Sequence, residues 1–240
     1  MLQSDNIKKI SIIIPCFNEQ DTIGEIIHRV LIQTQKFQNL EFEIIIIDDS
    51  SKDETINEIK KNDDKRIKLF INNQNFGKGY CLRKGIKEAE GDVILFQDAD
   101  LEYNPSDYSK LLKPIFEGNA DVVFGSRFIG SDEKRVLYFW HRIGNLFLTL
   151  LSNMCTNLNL TDMENGYKVF KSSAIKNLNF FENRFGIEPE ITAKIAKKKL
   201  KIYEVGVSYF GRTYAEGKKI TWKDGLSALR CIFLYNLFRR

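Results

Sequence analysis

Closely paired cysteines are absent from the sequence. The chain has four cysteines, which lie far apart and form no CxxC pair. Because zinc knuckles and dithiol redox motifs need closely spaced cysteines, neither kind of site is indicated. Free, buried thiols, as are usual in a reducing cytosol, are the expected state of Cys16, Cys81, Cys155 and Cys231.

A long hydrophobic run is also missing. The best candidate, residues 136–151, is interrupted by His141, Arg142 and Asn145, whereas a helix that crosses a bilayer needs roughly 20 apolar residues. Residues 1–6 are polar and lack the charged, apolar and small-residue pattern of a secretion signal. We therefore expect a cytoplasmic protein that contacts a membrane only at its surface, on the cytoplasmic face.

The chain has little excess of charge of either sign. Lys and Arg number 36 against 32 Asp and Glu, which gives a formal net charge of +4 over 240 residues. This balance, without a cluster of bases on one helix, argues against a nucleic-acid partner. Internal repeats and low-complexity linkers are missing too, and 43% hydrophobic residues are typical of a packed core rather than of disorder.

The first half of the chain does contain a regular alternation of strand and helix patterns. Apolar runs predict strands at residues 10–14, 42–47, 67–71, 93–96 and 121–124. Apolar spacing and capping residues predict helices from Asp21 or Thr22 to Leu31 and at 53–61, 79–89 and 105–116. This alternation is typical of an α/β fold with a parallel, doubly wound sheet and right-handed connections.

Two acidic residues follow the apolar run at 93–96. In a parallel sheet, Asp98 and Asp100 would leave the strand at the carboxyl edge, where open α/β folds bind ligands. Side chains two positions apart in an extended segment point the same way, so we expect Asp98, Asp100 and Glu102 to converge. Three oxygen donors at one point suit Mg²⁺ or Mn²⁺. The alternative for an isolated DxD is a polar turn.

Polar and acidic residues also follow the first two predicted strands. Asn18 and Glu19 come after the first strand, and Asp48 and Asp49 come after the second. A pocket so rich in carboxylates suits a metal-bound diphosphate better than a bare phosphate, and its acids can accept hydrogen bonds from a base and a ribose. The pattern points to a nucleoside diphosphate carried with a divalent cation. Helix capping is a further role open to Asp48 and Asp49.

Five short motifs occur in order along the chain. They are residues 11–19 (SIIIPCFNE), 48–53 (DDSSKD), 75–79 (NFGKG), 98–100 (DAD) and 125–127 (GSR). Together they resemble the signature of inverting family 2 glycosyltransferases with a GT-A fold. Residues 161–168 (TDMENGYK) and 212–219 (RTYAEGKK) are similar to the branch that loads polyprenyl phosphates, as dolichyl-phosphate mannose synthases do.

The resemblance implies an architecture. A GT-A domain is a Rossmann-like, mostly parallel sheet flanked by helices, here with a C-terminal acceptor region and amphipathic helices. We expect a single domain over residues 1–240, with a nucleotide-sugar-binding half at about 1–125, an acceptor half at 126–221 and a C-terminal amphipathic helix at 222–240.

The resemblance also implies roles on the donor side. The nucleotide sugar would be bound by one set of residues: Pro15, Asn18, Glu19, Asp48, Asp49, Lys78, Asp98, Ala99 and Asp100. Asp98, Asp100 and Glu102 would hold the metal, and Glu102 stands where the mannose-synthase branch often has a glutamine. By residue type alone, Lys78 fits a donor contact and a solvated lysine equally well.

For the acceptor phosphate, the resemblance favours Arg127 and the basic segment near residue 212, because Arg binds phosphate with a planar fork of donors. The expected phosphate ligands are Arg127, Arg212, Lys218 and Lys219, whereas Arg135 and Arg142 are less favoured candidates for which a solvated surface position is the alternative.

Asp162 lies where the family has an acid close to the reacting centre, so the catalytic set is Asp100, Asp162 and Arg127. Glu188 and Glu190 either border the acceptor site or cap a helix that begins near Pro189. A phosphate nucleophile is ionised near neutral pH and needs no strong general base, unlike a sugar hydroxyl.

Two stretches suit a membrane surface, because aromatic, apolar and basic residues share one predicted helix in each. They are residues 137–151 and 222–240. Core packing or a dimer interface is the alternative, chiefly for the first stretch. Attachment through a membrane-anchored partner is a further expectation.

The expected function is metal-dependent, inverting transfer of mannose or glucose from GDP-mannose or UDP-glucose to a polyprenyl or dolichyl phosphate. One alternative is a family 2 transferase that acts on a glycan or another hydroxyl acceptor. An alternative of a different class is an inactive scaffold that binds a nucleotide sugar.

Overall fold

The structure is a computed structural model that describes residues 7–130, 135–136, 138–213, 216–217, 219 and 222–238. Within these residues the strands are β1 (Lys9–Cys16), β2 (Glu41–Asp48), β3 (Ile67–Ile71), β4 (Val93–Phe96), β5 (Val122–Ser126), β6 (Lys168–Lys171) and β7 (Ile202–Gly206).

The helices flank these strands along most of the chain. They are α1 (Ile23–Thr34), α2 (Thr55–Lys60), α3 (Lys78–Glu88), α4 (Tyr108–Phe116), α5 (Phe139–Thr156), α6 (Ser172–Ile175), α7 (Ile187–Lys197) and α8 (Trp222–Phe233). A 3₁₀ turn at Pro105–Asp107 leads into α4, and a π-helical turn at Leu234–Phe238 continues α8.

The strands form one seven-stranded sheet in the order β3-β2-β1-β4-β6-β5-β7. Neighbours are parallel except where β6 pairs antiparallel with β4 and with β5. Since β6 reverses direction on both sides, β5 runs parallel to β4, and the carboxyl ends of β1, β2, β4 and β5 lie at one edge of the sheet. Loops that are distant in sequence therefore meet there.

Apolar side chains on both faces explain why the sheet is buried as a middle layer. Ile12, Ile13 and Ile14 of β1 are fully buried, each contributing about 1.5–3 kcal/mol. Alternate residues pack into two cores, with α1 and α4 on one face and α3 and α7 on the other. The result is a three-layer α/β/α sandwich.

Gly85 permits the close approach of α3 to the sheet. A glycine inside a helix costs about 1 kcal/mol relative to alanine. A Cβ at this position would lie 2.4 Å from Cγ2 of Ile13 on β1. This contact between α3 and the sheet is therefore possible only because residue 85 has no side chain.

The predicted α/β class and the five predicted strands are confirmed: β3 and β4 have the predicted bounds, and the bounds of β1, β2 and β5 differ by one or two residues. The mostly parallel sheet is confirmed, since the five predicted strands run in one direction and, among the described strands, only β6 is antiparallel. The helix expected over residues 53–61 is shortened to α2, and the first turn of the helix expected at 105–116 is 3₁₀. The expected division near residue 125 falls within β5 and stays a prediction.

Among the described residues, no helix combines the length and the apolar character that are needed to span a bilayer. All four cysteines are free, and three are buried whereas Cys155 is partly exposed.

Candidate functional site

The loops after β1 and β2 are tied to each other at the carboxyl edge. Asn18 adopts a left-handed conformation with φ of 49°, its backbone N–H donates to Ser51 Oγ at 2.9 Å, and its Oδ1 accepts from Lys52 N–H at 2.9 Å. Pro15 lies in β1 beside Ile47 of β2. These contacts fix the positions of the two loops that carry the predicted donor-binding residues Asn18, Glu19, Asp48 and Asp49.

Asp48 and Asp49 are both buried, but they have different partners. Asp48 accepts from Ser51 N–H at 3.0 Å. Asp49 accepts from Phe76 N–H at 3.0 Å and Gly77 N–H at 2.6 Å, and it thereby anchors the 75–79 loop. Neither residue caps α2, whose first N–H bonds instead to Asp53 at 3.1 Å. The capping alternative is therefore wrong.

Lys78 begins α3 and carries charge into the middle of the site. Its Nζ lies 2.7 Å from Asp98 Oδ1 and 3.4 Å from Glu188 Oε1. Although burial acts to lower it, the pKa of Lys78 is raised by Asp98 and Glu188. Lys78 is therefore paired and largely enclosed, and the solvated alternative is wrong.

Gly77 and Gly79 explain how Lys78 reaches its position. Gly77 has φ of 104°, and a Cβ on Gly79 would lie 2.4 Å from the carbonyl oxygen of Glu182. The 75–79 loop therefore packs directly on the chain that leads into α7, which brings Lys78 within reach of Glu188.

The DxD segment does not continue in the extended form that the sequence suggested. Leu101 adopts a left-handed conformation with φ of 61°, so the chain turns, and Glu102 N–H donates to Asp100 Oδ1 at 3.1 Å. The Glu102 carboxylate accepts from Tyr209 O–H and from Arg212 N–H, each at 2.9 Å. The extended geometry behind the predicted convergence is therefore wrong, and a metal-ligand role for Glu102 stays a prediction.

Arg212 lies among the carboxylates of this edge. Its guanidinium is 3.0 Å from Asp100 Oδ2, 3.2 Å from Glu19 Oε2 and 3.6 Å from Glu102 Oε1. Burial, followed by the charges of Asp98 and Glu102, raises the pKa of Asp100 to about 7 despite Arg212. The cluster is thus short of positive charge.

The donor set fits a hard divalent cation in its chemistry, because carboxylate oxygens are the preferred ligands of Mg²⁺ and Mn²⁺. Within the described part of the chain, however, no three His, Cys, Asp or Glu side chains are grouped as a metal site. Asp98 is paired with Lys78 and Asp100 with Arg212. Ala99, between the two acids, is buried.

On the other side of the site, Arg127 follows β5 and is held by Asp162. Nε and Nη2 of Arg127 each lie 2.7 Å from one Asp162 oxygen, and Arg127 N–H donates to the same carboxylate at 3.0 Å. Burial would raise the pKa of Asp162, but Arg127 lowers it below its usual value. Both side chains are therefore charged, and Asp162 orients Arg127.

Arg212 and Lys219 contact the donor-side acids rather than Arg127. Lys219 Nζ is 2.6 Å from Glu19 Oε1, beside Arg212. Tyr209 links the two sides, since its ring packs under Arg127 with 5.2 Å between the guanidinium carbon and the centroid. An acceptor-phosphate role for Arg212 and Lys219 stays a prediction, and Lys218 lies outside the described residues.

A buried lysine that was not singled out in the sequence holds one of the uncertain glutamates. Lys168 of β6 is fully buried and donates to Glu188, to the Met163 carbonyl and to the Asn165 carbonyl. The motif at 161–168 contained Lys168, but its partner is 20 positions away and no local pattern connects them. Glu188 is therefore held between Lys78 and Lys168, and its expected place at the border of the acceptor site stays a prediction.

Glu190 has a structural role. Its carboxylate accepts from Phe181 N–H at 2.9 Å and from Glu182 N–H at 2.8 Å, and it pairs with Lys194 at 2.5 Å. It therefore fixes the loop before α7.

Helix α5 has its polar side inward and its apolar side outward. Thr149 and Ser152 are buried, and Asn145 donates to Asp162 Oδ1 at 2.9 Å. The exposed residues of α5 are largely apolar, among them Phe139, Trp140, Phe147, Leu150 and Met154. Core packing of this outer face is wrong, and Leu137, at the start of the predicted stretch, lies outside the described residues.

Helix α8 packs beside α5 and also exposes large apolar residues. Trp222, Leu226 and Phe233 recur at helical spacing on its exposed face, and Leu237 follows in the π-helical turn. Arg230 lies on the same side and pairs with Glu182 at 2.6 Å. The apolar face is defined here as these residues of α8 and the exposed residues of α5, the helix that contacts Asp162 through Asn145.

Comparison with known proteins identifies the family. Residues 11–178 match the model of glycosyl transferase family 2, which covers more than half of the chain. The chain therefore belongs to glycosyl transferase family 2, as its motifs indicated.

Several curated relatives are named for transfer to dolichyl phosphate. A dolichyl-phosphate beta-glucosyltransferase of Trichomonas vaginalis is 26% identical and covers 95% of this chain and 74% of its own. A dolichol-phosphate mannosyltransferase of Pyrococcus furiosus is 26% identical over 88% of this chain and 59% of its own. A UDP-N-acetylglucosamine–dolichyl-phosphate N-acetylglucosaminyltransferase of Methanococcus voltae is 28% identical over 87% and 88%. The resemblance to the polyprenyl-phosphate branch is confirmed.

A solved structure confirms the GT-A fold. Glucosyl-3-phosphoglycerate synthase from Mycobacterium tuberculosis, in complex with Mn²⁺ and UDP-glucose, superposes with a TM-score of 0.74 at 17% identity. The match covers 95% of this chain and 79% of that one.

Proposed function

We propose that the protein is an inverting glycosyltransferase that moves a sugar from a nucleoside diphosphate sugar to a polyprenyl phosphate such as dolichyl phosphate. The relatives named for this reaction support the proposal, although their names specify glucose, mannose and N-acetylglucosamine. The sugar proposed here is a hexose, mannose or glucose, carried on GDP or UDP.

The donor would lie over the loops after β1, β2 and β4. Glu19 and Asp48 offer acceptors to a base and a ribose, and Lys78 offers a positive charge near the diphosphate. A divalent cation, when bound by Asp98 and Asp100, would neutralise charge on the leaving diphosphate. The Mn²⁺ in the related synthase structure supports a cation of this kind, and the raised pKa of Asp100 supports a local need for positive charge.

The acceptor phosphate would be bound by Arg127. The observation that carries this proposal is the hydrogen bond of Asn145 to Asp162, at 2.9 Å. It connects the residue that orients Arg127 to α5, whose outer face is apolar. A charged phosphate held at Arg127 and an isoprenoid chain lying on the apolar face are the two parts of one lipid.

The same geometry supports attachment to a membrane surface. Amphipathic helices with large apolar side chains bind in the interface plane of a lipid bilayer, and the acceptor lipid is itself embedded there. We propose a peripheral position on the cytoplasmic face, either by direct contact or beside a membrane-anchored partner.

The reaction needs no strong general base, because the attacking phosphate oxygen is already ionised. Arg127 would hold that oxygen in line with the bond to be broken, and the attack from the opposite face inverts the anomeric centre. Arg212 and Lys219, which now pair with Glu19, are the nearby bases that would compensate the charge of a second phosphate.

Incubation of the purified protein with Mn²⁺, a labelled donor and a short polyprenyl phosphate tests this function. GDP-mannose, UDP-glucose and UDP-N-acetylglucosamine are supplied separately, and the label is followed into the organic phase. One donor should give a lipid-soluble product that needs both metal and lipid phosphate. Transfer to a soluble glycan instead would favour the hydroxyl-acceptor alternative, and donor binding without any transfer would favour the scaffold.

A further inference from the structure

Two carboxylates, Glu164 and Glu188, interact with charged residues of the donor side and of the Arg127 side of the site. Glu188 is linked to Asp98 through the shared Lys78, at 3.4 Å and 2.7 Å. Glu164 interacts electrostatically with Glu188, Lys168, Arg127 and Asp162. In a transfer between two phosphates, the sugar must lie between the groups that hold them, and Glu188 contacts Lys78 while Glu164 interacts with Arg127.

Each of these carboxylates keeps one enclosed oxygen without a hydrogen bond from the described residues. These atoms are Oε1 of Glu164 and Oε1 of Glu188. Among the described residues, Lys78 is the one ion-pair partner of Glu188 Oε1, and the other oxygen of Glu188 is bound by Lys168. Enclosed acceptors without a donor are uncommon in folded proteins, and each one calls for a missing partner.

Lys168 cannot provide the missing donors. An ammonium group has three N–H bonds, and the three of Lys168 are directed at the Met163 carbonyl, the Asn165 carbonyl and Glu188. Burial, followed by repulsion from Glu188, raises the pKa of Glu164 to about 7. A ligand that brings hydroxyl donors would therefore satisfy the two acids better than the protein does.

We propose that Glu164 and Glu188 form the subsite for the transferred sugar, in which their enclosed oxygens accept hydrogen bonds from its hydroxyl groups. The inference rests on the proposed function, because it takes the donor to be a nucleotide sugar. It identifies two specificity-determining residues and a class of ligand, an uncharged hexose unit with free hydroxyls.

The test pairs donor analogues with conservative variants. Binding of UDP-glucose or GDP-mannose, whichever the protein binds, is measured by calorimetry in the presence of Mn²⁺. The same is done for deoxyfluoro analogues, in each of which one hydroxyl is replaced by fluorine. The proteins compared are wild type, Glu164→Gln, Glu188→Gln and Glu117→Gln, a control at an exposed position after α4.

The expected result is a coupling between one hydroxyl and one carboxylate. For the wild type and for Glu117→Gln, at least one analogue should bind about tenfold or more weakly, since a hydrogen bond to a charged group is lost. For Glu164→Gln or Glu188→Gln, the loss at that same position should shrink to about threefold or less. If a substitution had only a structural effect, it would weaken the binding of the donor and of all its analogues by the same factor.

Equal losses in wild type and variants at every position would overturn the proposal, as would a wild type that is indifferent to every hydroxyl. Glu188→Gln removes the partner of buried Lys168, so if thermal unfolding shows that it does not fold, Glu164→Gln decides. Coupling in donor binding without lipid transfer would leave the subsite standing and reject the polyprenyl acceptor. Transfer to the lipid without coupling would reject the subsite and leave the polyprenyl acceptor standing.

Discussion

Arg127 and Asp162 form a two-pronged ion pair in which Nε and Nη2 each lie 2.7 Å from a carboxylate oxygen. Asp162 is fully buried, and Asn145 of α5 donates to one of the same oxygens. The pair therefore couples the end of β5, the 161–168 motif and α5. The position of the Arg127 guanidinium depends on all three elements. The position of a phosphate bound by Arg127 would therefore depend on them too.

Replacing Arg127 should therefore impair the acceptor more than the donor. For Arg127→Ala we expect a rise of about tenfold or more in the KM for polyprenyl phosphate, because a charged hydrogen bond is lost. The dissociation constant of the nucleotide sugar should change by less than about threefold. Arg29→Ala, on the exposed side of α1, is the matched control. Equal effects on donor and acceptor would contradict the assignment.

Removing the partner carboxylate should cost both stability and acceptor use. In Asp162→Asn, Arg127 loses its buried counter-charge, and breaking a buried pair in this way costs about 3–5 kcal/mol. Chemical denaturation should report that decrease, and acceptor kinetics should resemble those of Arg127→Ala. An unchanged free energy of unfolding together with a normal acceptor KM would show that Asp162 does not orient Arg127.

Asp100 should be required for transfer but not for folding. Asp100→Ala is expected to lower the rate by about a hundredfold or more, as is typical when one group that stabilises developing charge is removed. Its melting temperature should stay close to that of the wild type, because Arg212 keeps Glu19 as a partner. Asp63→Ala, at an exposed site after α2, controls for the loss of a carboxyl. Full activity of Asp100→Ala would remove the metal assignment.

The buried carboxyl of Glu43 should make folding sensitive to acid. Burial acts to raise its pKa, but hydrogen bonds from Lys68 and Ser11 lower it to about 2. A depressed pKa stabilises the fold above the unfolded value near 4.5, and that contribution, about 3 kcal/mol, is lost as pH falls towards 2. Unfolding free energies measured between pH 5 and pH 2 should fall more steeply for wild type than for Glu43→Gln. Parallel curves would contradict this.

The apolar face should bind lipid bilayers. Phe147→Ser combined with Leu150→Ser removes two of the larger exposed side chains of α5 and should reduce co-sedimentation with anionic vesicles by about tenfold or more, since each buried apolar side chain contributes about 1.5–3 kcal/mol. Ile71→Ser, on the edge strand β3, is a control of similar exposure elsewhere. Vesicle binding that is unchanged by the α5 substitutions would argue for a protein partner on this face.

The strands that are buried on both faces could be predicted from the sequence, because short apolar runs of β-branched residues such as Ile44–Ile47 are typical of buried parallel strands. It was insufficient for β6 and β7. β6 spans four residues with lysine at both ends, and β7 mixes Tyr203 and Glu204 into a half-exposed edge. Patterns so short and so polar do not separate strand from loop.

Within the site, the acidic residues at the strand ends could be predicted from the sequence, but their hydrogen-bond and ion-pair partners could not. The chain turns at Leu101, in a segment that was expected to be extended. A left-handed conformation is rare for leucine, so this turn could not be predicted from the residue type. Arg212 and Glu19 are 193 positions apart, and their contact depends on how β7 and the following segment pack. The sequence therefore predicted which chemical groups line the edge, but not which of them pair.

The most direct test of the central claim is a crystal structure of the protein with Mn²⁺ and its sugar nucleotide, with anomalous diffraction recorded for manganese. The account predicts one anomalous peak in contact with the carboxylates of Asp98 and Asp100 and with the diphosphate, and a displacement of Arg212 from Asp100. A bound nucleotide with no manganese between those carboxylates, and with the pair of Arg212 and Asp100 intact, would contradict it.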